Sequence, residues 1–557
     1  MKYKLALLAL WVASPPAFAA ELPSAGSQLQ QIPPSPVSQK PPPEIRIEQS
    51  GSPPVAASND TKLVVTAIRV KNARRFSEAQ LLAAIGFQRG SEQTLSSLRG
   101  IAAKIAVYYH RHGYFLAQAV VPAQDIHDGV VVVDVIEGRY GKITVRNQTR
   151  LAASLPNRLL EGLNSGDTVA IAPLETRLLL LSDLPGVVVR STLTPGASAG
   201  DTDLMVDVTP GHLFSGSVDA DNAGNRYTGT YRTGTTLNLN DPFGLGDVAS
   251  LRALTSWDGL NYVRGSYQVQ AGRADVGVAY TALNYKLGDE FESLEAHGTA
   301  EIASVYGKYP LLRTRNDNLY LQLGVDVKNF HDKVDATDPA TSSDKRATVA
   351  MLGLVGDFRD HLWGGGSSTY SFTWSSGDLD LLSAQAISTD ETTARTSGHY
   401  DKFDLSVTRL QTVTGPLSLY AALQGQIATK NLDVSEKMGL GGSEAVRAYP
   451  EGEAYVDQGY ILNLEAHLAL PALNARIPGQ WQTIGFLDTG TGSLNKNDYG
   501  GVGQNRRTLS GGGLGLNWFG PQGIIVKADY AHKLGAAAAT SAPDADSRFW
   551  IHAVKYF

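Results

Sequence analysis

Two hydrophobic periodicities divide the chain. Across 61–210 short alternating runs flank segments of helical period, whereas from 211 onward strict alternation takes over. Residues 63–70 read as a strand, and Ser77 with Gln80 forms a capping box that opens a helix ended by Gly86. Thr94 caps a longer helix with Leu98, Ala102, Ile105 and Tyr109 on one face, ended by Gly113. Strands follow at 115–121 and 130–136. The order then returns, with a strand at 141–145, helices at 155–163 and 173–181, and strands at 187–194 and 202–208. These patterns predict two tandem α+β modules, 61–137 and 138–210, each large enough for a small core. Such modules leave strand edges open, and an open edge can take up an extended chain as an added strand.

In the second half, Val263, Gly265, Tyr267, Val269 and Ala271 share one face against Arg264, Ser266, Gln268 and Gln270. Leu319, Leu321, Leu323, Val325 and Val327 oppose Tyr320, Gln322, Gly324, Asp326 and Lys328. The same holds where Leu462, Leu464, Ala466, Leu468 and Leu470 oppose Asn463, Glu465 and His467. Ile524, Val526, Ala528 and Tyr530 likewise oppose Lys527 and Asp529. Strands of about ten residues, apolar on one side and polar on the other, suit a transmembrane antiparallel β-barrel with a wet lumen, here 211–557. The strand census allows roughly fourteen to eighteen strands. No apolar run after the N-terminus reaches the length of a membrane helix, and a mean hydropathy of −0.14 is what alternating faces average to.

The first residues supply the compartment. Lys2 and Lys4, an apolar core at 5–12 and Ala17-Phe18-Ala19 form a signal peptide, 1–19, and predict export. Residues 20–60 form a Pro-rich linker, with room for at most a short helix between Pro23 and Pro33. A net charge of −6 argues against a nucleic-acid partner, and the absence of cysteine excludes disulfides and thiolate chemistry.

Between two predicted strands lies a loop broken by glycines, 441–460, in which Arg447 stands among Glu444, Glu451, Glu453 and Asp457. Its Val446-Arg447-Ala448-Tyr449 core and the later run Phe486-Leu487-Asp488-Thr489-Gly490 resemble two motifs of the outer-membrane polypeptide-transporting barrels. These are the VRGY/F loop and the FxDxG wall strand, and the closest likeness is to the two-partner secretion transporters (TpsB, the haemolysin secretion/activation family). The resemblance implies two POTRA-like modules in the periplasm, a barrel of about sixteen strands in the outer membrane, and a short plug helix from the linker. It implies that the loop folds back into the lumen, with Val446, Arg447, Ala448 and Tyr449 against a wall formed by Phe486, Asp488 and Gly490. Ala448 departs from the family's frequent Gly. The phase of the wall strand puts Gln482, Ile484, Phe486 and Asp488 on one face, so Asp488 is the expected partner of Arg447. The implied function is recognition of a large unfolded exoprotein of TpsA type in the periplasm and its transport to the surface without ATP. The implied contacts are outer-membrane lipid and the barrel-assembly machinery, whose recognition signal the terminal Phe557 matches. Lys555 in the third-last position either faces the lumen or snorkels to the periplasmic interface.

Other chemistry has little support. The glycines from Gly511 to Gly515 lack a following GK[ST] and lie in a strand, where small residues relieve crowding. His110 and His112 end a helix, where a solvated or dipole-facing role is expected rather than a metal. Glu451 and Glu453 read as solvated loop charges. No catalytic set, metal site or cofactor is expected. The rival readings are a barrel-assembly insertase, a passive porin and a surface hydrolase on a barrel anchor.

Overall fold

The structure, a computed structural model, describes residues 22–36, 44–47, 62–474, 476–500 and 503–557. The expected signal peptide and most of the linker lie outside the described residues. Within the linker, helix α1 (Ala25–Gln30) is capped by Ser24, and strand β1 (Glu44–Ile47) follows.

The first module runs β2 (Leu63–Val65), β3 (Ala67–Lys71), α2 (Glu78–Ile85), β4 (Ser91–Gln93), α3 (Leu95–Arg111), β5 (Gln118–Val120) and β6 (Val130–Ile136). The predicted Ser77 capping box and Thr94 cap both form, the latter as a second box with Ser97, and Gly86 ends α2 in the left-handed region at φ 63°. The single strand expected at 63–70 is instead broken at Thr66. The N–H groups of Thr66 and Ala67 both turn to the carbonyl of Gly129, so β2 pairs with β4 while β3 pairs with β6. The strand expected at 115–121 is likewise shorter. Leu81, Ile85, Leu98, Ala102, Ile105 and Tyr109 pack on the buried face of β6. Glu137, which closes β6, is buried and accepts hydrogen bonds from the main chain of Arg74 and Arg75 and from the Tyr109 hydroxyl at 2.9 Å. Burial, followed by this bond, pushes the Tyr109 phenol up.

The second module repeats the order with β7 (Arg139–Asn147), α4 (Ser154–Leu159), α5 (Ile171–Asp183), β8 (Val187–Pro195) and β9 (Asp201–Pro210). Both sheets have a parallel pair and an antiparallel pair about a middle strand: β3-β6-β5 in one, β7-β9-β8 in the other. They differ at one edge. In the second module β1 lies parallel along β8, Glu44 opposite Arg190 through Ile47 opposite Leu193, whereas β5 has no second neighbour among the described residues.

The barrel begins with β10 (Phe214–Asp221), β11 (Arg232–Asn240), β12 (Val248–Thr255), β13 (Leu260–Ala271), β14 (Ala274–Lys286) and β15 (Ala296–Arg313). It continues with β16 (Asp317–Val334), β17 (Thr341–Asp360), β18 (Gly366–Leu381), β19 (Gly398–Thr414) and β20 (Leu417–Ala428). After a long loop containing the short strands β21 (Met438–Gly439) and β22 (Tyr455–Val456), it closes. The closing strands are β23 (Gln458–Ala469), β24 (Gln480–Ser493), β25 (Arg506–Phe519), β26 (Ile524–Lys533) and β27 (Ser547–Tyr556). Leaving out β21 and β22, these sixteen strands form a closed antiparallel barrel, the count the resemblance implied. The predicted phases hold: Leu323, Val325, Val327, Leu464 and Leu468 face outward and exposed, while Asn463 faces in and is buried. Closure rests on five residue pairs between β10 and β27.

The modules attach at one end. Asp183 of α5 holds Arg313 at 2.8 Å, Glu175 holds Arg315 at 3.1 Å, and the Ala152 N–H donates to Gly244 in the turn after β11. Exposed Phe214, Phe243, Trp363 and Phe557 ring the same end, the position of an interfacial aromatic girdle. Lys555 lies on the outward side and its ammonium turns back to the carbonyl of Gln522, which is the snorkelling alternative. No helix among the described residues is long and apolar enough to cross a membrane.

Candidate functional site in the barrel lumen

Counting hairpins from β10, the loop 429–457 is the sixth at the end away from the modules, and it folds inward. Asp433 caps a single 3-10 turn, Val434–Glu436, and β21 pairs with β22 to make a narrow stem. At the tip, the Ser443 N–H and hydroxyl both donate to one Glu451 carboxylate oxygen at 2.7 Å. That contact lies beside Gly442, whose φ of 130° and proximity to the same carboxylate leave no room for a side chain.

Arg447 sits at the inward end of this loop, 6% exposed, against β24. Its Nε and Nη2 donate to the two carboxylate oxygens of Asp488 at 2.9 and 2.8 Å, and its own N–H reaches Asp488 at 3.2 Å. The guanidinium lies 3.5 Å from the centroid of the Phe486 ring. Glu465 on β23 is a second carboxylate at 2.8 Å and Asp529 on β26 a third at 3.9 Å. Asn463 donates to both Asp488 and the Ala445 carbonyl at 2.8 Å, and the Trp550 indole of β27 donates to the Arg447 carbonyl at 2.7 Å. A forked, charge-assisted pair in a water-poor setting fixes geometry as well as position.

The other predicted residues are gathered at the same place. Val446, Ala448 and Tyr449 are fully buried with Phe486, Ile484 and Leu509. A Cβ at Gly490 would stand 3.2 Å from Val446, so the glycine admits the loop. The Ala448 methyl, the departure from the family motif, is accommodated because Gly511 opposite has none: a Cβ there would collide with it. Gly513 similarly makes room for Phe486. The glycine run is thus a fitted wall.

Two expectations are corrected. Glu453, read as a solvated loop charge, is completely buried and pairs with Arg507 at 2.6 Å; Glu451 is tied to Ser443. Those two glutamates are the corrections; the short helix expected from the linker is present, as α1 in the lumen. The Ala25 N–H of α1 donates to Asp332 at 2.7 Å, Thr228 donates to Gln28 at 2.8 Å, and Tyr455 of loop 6 donates to the Ser27 carbonyl at 3.0 Å. Gly26 lies against Ser435, where a Cβ would be 2.9 Å from the serine's own. His110 and His112 each bond a main-chain carbonyl at 2.8 Å.

Sequence reading missed Glu465, Asp529 and Trp550 as companions of Arg447. The first two were legible as charges on the polar phase of their strands; Trp550 carried no local signal. Also missed were the ion pairs of the loop's stem: Glu436 with Lys328 at 2.6 Å and Lys402 at 3.1 Å, and Asp433 with Lys345 at 2.7 Å.

A sixteen-stranded barrel with an inward-folded loop locked to its wall, a helix in its lumen and α+β modules at one end defines a polypeptide-transporting barrel of the outer membrane. The chain belongs to the haemolysin secretion/activation protein family ShlB/FhaC/HecB, whose family model matches residues 200–518, and a ShlB-type POTRA domain matches residues 63–138. It is 27% identical over 476 residues to the heme/hemopexin transporter protein HuxB of Haemophilus influenzae (strain 86-028NP), covering 84% of this chain and 82% of that one. It is 26% identical over 369 residues to the outer membrane transporter CdiB of Dickeya dadantii (strain 3937), covering 64% and 63%. The solved CdiB from Escherichia coli superposes with a TM-score of 0.69 at 20% identity, over 91% of this chain and 93% of that one. The protein is therefore a two-partner secretion transporter of the outer membrane. Its N-terminal domains lie in the periplasm, and it moves a secreted partner protein across the membrane.

Proposed function

We propose that the periplasmic modules, 61–137 and 138–210, capture the partner exoprotein by strand addition and that the Arg447–Asp488 pair holds loop 6 as the fixed inner wall of the path. The observation that carries this reading is the forked pair itself, with both residues buried inside the barrel. Val446, Ala448 and Tyr449 supply the packing face of the loop, and Phe486 and Gly490 the surface that receives it. With β8 covered by β1, the strands left at open edges of the two main module sheets, among the described residues, are β5 and β3 in the first module and β7 in the second. Capture is assigned to β5, whose partner β6 it meets antiparallel. Transport proceeds without ATP, drawn by folding of the partner outside, and the role is one of passage rather than catalysis. The barrel-assembly machinery inserts the chain.

The test uses the full chain in detergent and the N-terminal domain of its partner. Ala119→Pro and Val120→Pro each remove a ladder donor from β5, and the outward-facing one of the two should weaken binding at least about tenfold. Unchanged binding by both would refute capture at this edge.

A further inference from the structure

The hairpin between β26 and β27, residues 534–546, is mostly small and apolar, with four consecutive alanines, 536–539, followed by Thr540, Ser541, Ala542 and Pro543; within it, Asp544 accepts the Ala539 N–H at 2.7 Å and pairs with Lys533 at its base. It is nevertheless fastened to loop 6, and the fastening converges on one group. Oε2 of Glu453 accepts the successive N–H groups of Thr540 and Ser541 at 2.7 and 2.8 Å, and Oε1 accepts the Thr540 hydroxyl at 2.9 Å. Arg507 of β25 donates to Glu453 at 2.6 Å and, with the same nitrogen, to the Ala538 carbonyl at 2.9 Å. Ser541 in turn donates to the Glu451 carbonyl, and the Tyr449 hydroxyl to that of Ala537, at 3.1 and 3.0 Å. Ala537 and Ala539 pack against the cluster that contains Val446 and Tyr449. Paired successive N–H groups form a small anion nest, and bonds to an ionised acceptor are the strong kind. The carboxylate is 0% exposed, so its orientation is imposed by these partners.

We propose that Glu453 is the positioning residue of a strap, residues 534–546, that closes the outer end of the lumen over loop 6 and swings away as the partner chain emerges. Loop 6 is then held from both sides, by Asp488 on the inner wall and by the strap at the surface. The strap is the movable side, because its own residues contribute main-chain and hydroxyl groups that water can satisfy.

The native chain has no cysteine, so Ala539→Cys gives a single thiol on the packed face of the strap. Its labelling by a membrane-impermeant maleimide on intact cells reports strap opening. Adding Glu453→Ala should speed labelling by about tenfold or more, and Glu453→Gln, which keeps one acceptor, by less. Equal rates in a heat-modifiable, correctly inserted Glu453→Ala protein, or labelling at the free-solvent rate with Glu453 intact, would overturn the proposal. A second variant keeps Glu453. Glu451→Cys with Ser541→Cys, joined by a reversible bifunctional thiosulfonate, should reduce open-channel events in a planar bilayer in potassium chloride, and reductant should restore them. Channel activity unchanged by the cross-link would equally sink the strap.

Discussion

Two elements fill the lumen, and they are held by opposite means. Helix α1 carries no charged side chain; its contacts are hydrogen bonds to Asp332, Thr228, Tyr455 and Arg232, the last donating to the Gln31 carbonyl at 2.7 Å. Its Ala25 sits among Tyr227, Leu254, Leu283 and Phe330. Loop 6 is held by ion pairs along its whole length: Lys345 and Asp433, Lys328 and Lys402 with Glu436, Lys437 with Asp457 at 3.3 Å, Arg447 with Asp488 and Glu465, and Arg507 with Glu453. Exchanging a hydrogen bond for water costs about 0.5–1.5 kcal/mol, or about 1.5–3 kcal/mol where one partner is charged, as Asp332 and Arg232 are, whereas stranding one ion of a buried pair costs about 3–5 kcal/mol. A polypeptide crossing this barrel needs volume, and the physical difference says which element yields it. On this difference the helix is the element expected to leave and the loop the one expected to stay.

The most damaging way to break this division is Arg447→Ala, which leaves Asp488 and Glu465 without their cation. The expected cost is about 3–5 kcal/mol in loop anchoring, with surface display of the partner falling more than about tenfold while the barrel remains heat-modifiable. Arg447→Lys should recover only part, since an ammonium cannot make the fork. In a double-mutant cycle scored by partner display, Asp488→Ala added to Arg447→Ala should cost much less than the two single losses combined. Strict additivity would dissolve the pair.

Glu436→Ala comes next. It strands the ammonium of Lys328 and leaves Lys402 with the weaker Asp404 contact at 3.8 Å, costing about 3 kcal/mol, and should loosen the stem of loop 6 without displacing Arg447. Thermal loss of heat-modifiability measures it, and an unchanged midpoint would show that the stem needs no charge.

Gly26→Val sharpens the other side. The added bulk meets Ser435, so α1 should be expelled at a cost of about 1–3 kcal/mol to its seating while loop 6 holds. Planar-bilayer recordings should then show a larger mean conductance, and a trace like the parent's would mean the helix does not block the pore. The smallest effect is expected from Gln31→Ala, which removes one neutral bond to Tyr455 of 2.8 Å. About 1 kcal/mol is at stake, a roughly fivefold rise in open events.

Much of this was legible along the chain. Alternation gave the wall and its two faces, capping residues gave α2 and α3, and the phase of Gln482 to Asp488 put Asp488 in the lumen opposite an arginine-bearing loop. Strand 63–70 was misread because the Gly129 carbonyl, 63 residues beyond Thr66, takes the N–H groups of Thr66 and Ala67 and splits it. Glu453 was misread because burial of a loop carboxylate depends on a hairpin more than eighty residues later.

The sequence by itself determined every feature set by spacing of two or four residues: strands, helices, the order of the modules, the barrel and the two motifs that meet inside it. Side-chain phase repeats locally, and a one-residue error in it would turn a strand's apolar face inward. Only the tertiary structure decided which charges became partners and which edge was covered. β1 along β8, Trp550 on the Arg447 carbonyl, and Glu453 beneath residues 540 and 541 all join segments far apart in the chain, and no local pattern records which distant group will arrive to satisfy a buried polar atom.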